Sequence, residues 1–80
     1  MRHQIKRVDP TVRGDATLKV KTGYGSIETV YCRKTQIEKL KQYFSVENSH
    51  DLEGEVFELT SDRYYVRRNV FQHFLESLDQ

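Results

Sequence analysis

The chain has 80 residues, of which 36% are hydrophobic, with a mean hydropathy of -0.77 and a formal net charge of +1. That length admits one small domain with a narrow stability margin, and no apolar run approaches the length of a membrane span. A charge so close to zero excludes any argument from global electrostatics, and the single Cys32 excludes an internal disulfide and reads as a buried intracellular thiol.

Residues 1–14 carry Arg2, Lys6, Arg7 and Arg13 against Asp9, are punctuated by Pro10 and Gly14, and show no sustained period. They read as a mobile basic arm. No apolar stretch follows them, which argues against a secretory signal peptide and for a cytoplasmic protein. Residues 17–22 alternate, with Leu18 and Val20 on one face and Lys19 and Lys21 on the other. This is the pattern of a half-buried strand. A turn through Gly23 and Gly25 leads to a second strand over 27–33, rich in β-branched and aromatic residues.

A helix is predicted from Thr35. Its hydroxyl and Glu38, three residues on, have the spacing of a capping box, and Ile37, Leu40 and Phe44 form an apolar stripe. The connector 47–54 is polar and ends at Gly54; residues 47–58 hold five acids and no base. A second unit follows. It has a strand over 55–60 with Phe57 and Leu59 inward, a turn at Ser61 and Asp62, and a partner strand over 63–68. Asn69 caps a second helix striped by Phe71, Phe74, Leu75 and Leu78.

The stretch from Val30 to Leu40 is echoed 34 positions later, from Tyr64 to Phe74. Each copy reads as strand, basic pair, helix cap and apolar helix. The expected fold class is α+β: two ββα units, 16–46 and 55–80, whose hairpins join edge to edge as a small antiparallel sheet with both helices on one face. Sheets of this kind leave edge strands, so a homodimer is open, with Lys19 and Lys21 as guards of an edge.

The two strand ends offer Tyr31, Arg33 and Lys34 in one copy and Tyr65, Arg67 and Arg68 in the other. Guanidinium groups suit phosphates, aromatic faces tolerate any base, and the N–H groups of a helix start favour anions. With Arg2, Lys6 and Arg7 of the arm supplying salt-sensitive affinity, these residues describe a nucleic-acid interface. The plainer alternative is a solvated strand face. Residues 61–75, with Arg63, Arg67 and Arg68 around a short turn and a capped helix, resemble the wing hairpin and following helix of excisionase-type winged-helix DNA-binding proteins. The resemblance implies that Arg63, Arg67 and Arg68 lie on or beside a wing touching the DNA backbone, with 39–46 as the first helix. The acidic segment 47–54 departs from a recognition helix.

Nothing points to catalysis, a metal or a cofactor: the three histidines are scattered, and no phosphate loop or nucleophile motif occurs. Two functions are expected, a small regulatory DNA- or nucleic-acid-binding protein and a non-catalytic protein-interaction module. The second would use Tyr24, Tyr43, Tyr64 or Tyr65 as anchors and the acidic connector against a basic partner.

Overall fold

Apolar residues at every second position build the core side of a sheet in the computed structural model, which describes residues 1–59 and 68–79. The elements are β1 (Arg2–Pro10), β2 (Ala16–Lys21), β3 (Ile27–Cys32), α1 (Lys34–Phe44), a 3-10 turn (Ser49–Leu52), β4 (Val56–Glu58) and α2 (Val70–Leu78). Among the described residues the four strands form one antiparallel sheet in the order β3-β2-β1-β4. Both helices lie on one face. Ile37 and Leu40 of α1 and Val70, Phe71, Phe74 and Leu75 of α2 share one buried cluster with Ile5, Val8, Leu18, Val20 and Phe57. The protein is thus a small α+β domain.

The first correction concerns residues 1–14. Instead of a mobile arm, residues 2–10 form β1, paired to β2 from Gln4 to Pro10 and to β4 from Arg2 to Gln4. Its period is hidden by a bulge between Ile5 and Arg7, where the register with β2 shifts. The bulge inserts Lys6, so the buried Ile5 and Val8 stand three apart instead of two. It follows that β4 neighbours β1 and not the β2–β3 hairpin, and that β2 is an interior strand. Lys19 and Lys21 therefore guard no edge. Residues 60–67, where the turn and most of the second hairpin's partner strand were expected, lie outside the described residues.

The helix starts also differ from expectation. The N-cap of α1 is Arg33, not Thr35, and its backbone N–H donates to Oε1 of Gln36 at 2.8 Å. At α2 the N-cap Asn69 adopts a left-handed conformation, φ 54°, and its side chain makes no cap. Glu28, on the inner side of β3, does that work: its two carboxylate oxygens accept from the N–H groups of Val70 (2.9 Å) and Phe71 (3.0 Å). A carboxylate there satisfies free helix donors and complements the helix dipole. Beneath it, Phe74 stacks on Phe57 with centroids 4.4 Å apart, and Phe71 meets Phe57 edge-on at 5.4 Å. Cys32 is fully buried, and burial pushes its thiol up to about 12.

His3 is a buried polar residue at the start of β1. Its Nδ1 accepts from the N–H of Gly23 at 3.0 Å, and its ring sits between Tyr24 and Phe57. Burial, followed by the nearby N-terminal ammonium, holds its pKa below the ordinary value. A histidine depressed on folding contributes stability that is present above its unfolded value of about 6.5 and lost as pH falls through the folded value. Thermal melts at stepped pH should therefore show wild type losing stability below that unfolded value. His3→Gln, which keeps an acceptor but cannot titrate, should show a flatter dependence. Identical slopes would contradict the assignment.

Candidate nucleic-acid interface

Among the described residues nothing covers the side of the sheet opposite the helices. The residues that alternate with the core ones all face it: Arg2, Lys6, Arg7 and Asp9 from β1, Lys19 and Lys21 from β2, Ile27, Thr29 and Tyr31 from β3, and Val56 and Glu58 from β4, all exposed. Register places them in rows: Gln4, Lys21 and Ile27 in one; Arg7, Lys19 and Thr29 in the next; Asp9, Thr17 and Tyr31 in a third. The bulge concentrates charge, because two successive residues of β1 oppose one residue of β2 there. Both of those residues, Lys6 and Arg7, are exposed basic side chains beside Lys19.

Five cations thus share the outer face of the strands with two carboxylates, Asp9 and Glu58, and a third, Asp15, borders that face at the Tyr31 hydroxyl. Each strand carboxylate has one near cation: Arg7 bonds Asp9 at 3.0 Å, and Arg2 lies 3.8 Å from Glu58. Lys6 donates to Oε1 of Gln4 at 3.2 Å, while Lys19 and Lys21 reach outward from the sheet's interior strand. Beside Arg2 and Lys21, next to the β2–β3 turn, a cleft of about 410 Å³ opens over His3, Gln4, Thr22 and Val56.

Tyr31 dominates the other end of the face and is 58% exposed. Its hydroxyl donates to Oδ2 of Asp15, whose Oδ1 accepts from the Thr11 hydroxyl. These two hydrogen bonds hold Asp15 below the usual carboxylate range, and the Asp15 bond raises the Tyr31 phenol. The positive charges of Arg33 and Arg13 are felt at the same ring. The stem of Lys34 lies over Gly14, 3.1 Å from where a Cβ would stand. Residues from two loops and one strand end thus surround the tyrosine.

The acidic segment sits elsewhere. Leu52 is buried in the core, and the 3-10 turn touches β1 and α1. Glu53 accepts the Val8 N–H through Oε2 at 2.9 Å, and the backbone of Gly54 and Glu55 bonds both polar groups of Ile5. Residues 52–55 therefore run along the edge of β1 and into the helical layer. Of the five acids of 47–58, Glu58 stands on the basic face beside Arg2, Glu53 is held at the edge of β1, and the 3-10 turn bearing Asp51 packs against β1 and α1.

Of the candidate residues, the structure brings Arg2, Lys6, Arg7 and Tyr31 onto one surface, with Arg33 and Lys34 at its end. Arg68 is exposed just before α2; Arg63, Tyr65 and Arg67 lie outside the described residues, as does Tyr64. The expected anion site at the start of α2 is filled by Glu28. Sequence reasoning left Lys19 and Lys21 out of the candidate residues although their outward phase was readable; what was missing was the basic neighbour strand. No family model, curated protein or solved structure matches this chain.

Proposed function

We propose that this domain is a non-catalytic nucleic-acid-binding module that uses the open face of its sheet. One observation carries the reading: the bulge in β1 brings Lys6 and Arg7 beside Lys19, and Lys21 and Arg2 extend the same positive surface on a chain with almost no net charge. Phosphates are the ligand such a surface suits, since lysine and arginine displace condensed counterions from a polyanion. Packing of the 3-10 turn against α1 and β1 and the tie of Glu53 to the Val8 N–H lessen the electrostatic objection raised by the acidic connector.

A salt titration tests it. The logarithm of affinity for an oligonucleotide should fall linearly with the logarithm of salt concentration. Replacing Lys19 and Lys21 together by Ala should flatten that slope by about 0.7 to 0.9 for each phosphate no longer neutralised. A slope unchanged by the double substitution would sink the reading.

The second reading, a protein-interaction module, draws on exposed Tyr43 (54%) and Ile27 (58%). It predicts dependence on the acidic connector. Glu53 cannot serve in that test because it holds β1, so Glu47, Asp51 and Glu55 are the residues to neutralise.

A further inference from the structure

The apolar residues of the basic face indicate which form of nucleic acid it accepts. Tyr31, Ile27 and Val56 are 58%, 58% and 43% exposed on the same surface as the five cations. A duplex would leave them idle. Four strands span about 14 Å between their outer backbones, too broad for a major groove about 12 Å wide that admits a helix or a two-stranded ribbon. A duplex laid on this face would present only its convex wall of phosphates. Unpaired bases, by contrast, have flat apolar faces that stack on aromatic rings while the backbone follows a charged track.

We infer that the face takes a single-stranded nucleic acid, with one base on Tyr31 and the phosphates following Lys19, Lys6 and Arg7 towards the cleft beside Lys21 and Arg2. This rests on the nucleic-acid reading above and narrows it. The ring of Tyr31 is prepared for stacking: its hydroxyl is tied to Asp15, which the Thr11 hydroxyl also holds. Ordering the ring before binding lowers the entropy lost on capture. At the far end the cleft of about 410 Å³ has the size of a small-ligand site, and its two cations suit a phosphate with its sugar.

Fluorescence anisotropy with a short pyrimidine single strand and the matching duplex decides the matter. The single strand should bind tighter. Tyr31→Ala should weaken single-strand binding about tenfold while leaving duplex affinity and the salt slope unchanged. Tyr31→Phe should restore most of the loss. Melting curves of both variants establish that this exposed position leaves the fold intact. Equal or tighter duplex binding, or a single-strand affinity indifferent to Tyr31→Ala, overturns the inference while leaving salt-dependent binding through the lysines standing. Absence of binding to either form overturns both this inference and the broader reading.

Discussion

Replacing Glu28 by Ala should cost about 2–4 kcal/mol of stability, because two N–H groups at a partly buried helix start lose their shared acceptor. Each unsatisfied buried donor costs about 1–3 kcal/mol, and part of that is recovered where water reaches the site. The carboxylate bonds Val70 and Phe71 at 2.9 and 3.0 Å, and these two residues are themselves fully buried. For a domain of this size the loss corresponds to a fall in Tm of roughly 10–25 °C. Glu28→Gln keeps one acceptor oxygen and should lose about half as much. Thermal denaturation of the two variants checks both values. A Glu28→Ala protein melting within a degree or two of wild type would show that α2 does not depend on this tie. The consequence reaches function, since Glu28 lies on β3 between Ile27 and Thr29, two residues of the open face. A loosened α2 removes the support behind the edge strand that presents Tyr31.

The second large effect concerns the bulge. Lys6→Glu with Arg7→Glu changes the face from five cations against two carboxylates to one in which negative groups predominate. Affinity for an oligonucleotide should fall by about two orders of magnitude or more at physiological salt, and the salt slope should drop by about 1.5. The fold should survive. Both side chains are solvent-exposed, and the one ion pair sacrificed, Arg7 with Asp9, is a surface pair worth about 0–1 kcal/mol. Lys39→Glu supplies the control, because Lys39 pairs with Asp79 on the helical layer. It changes the net charge of the chain by two units, half the four of the paired reversal, and should leave binding nearly unaltered. A loss of free energy about half that of the pair would mean that overall charge, not the sheet face, sets the affinity.

The two variants separate architecture from recognition. On the proposed function, loss of Glu28 should weaken binding through the stability of α2 and of the strand it supports, whereas reversal at Lys6 and Arg7 should remove binding from a folded domain. Circular dichroism beside each binding curve tells the cases apart.

Local signals were enough to read much of this protein from its residues alone. The alternation of Leu18 and Val20 with Lys19 and Lys21, the turn residues Gly23 and Gly25, and the helical spacing of Ile37, Leu40, Phe71 and Phe74 each act over a few positions, and each lies in the element that its period announces. The position of β1 could not be read that way. One inserted residue at Lys6 breaks its period of two, and its place between β2 and β4 depends on pairing with residues about 50 positions away. Capping by Glu28 is likewise non-local: the glutamate stands in phase with Val30 and Cys32 on the inner side of β3, and only the docked α2 explains a charge there. Sequence therefore determined β2, β3, β4 and the two helices, and within them which residues point outward, because those properties follow from spacing along the chain. Tertiary structure alone decided that the N-terminal bases join Lys19, Lys21 and Tyr31 on one surface while the 3-10 turn of the acidic connector packs against β1 and α1, because strand order is set by hydrogen bonds between segments far apart in sequence.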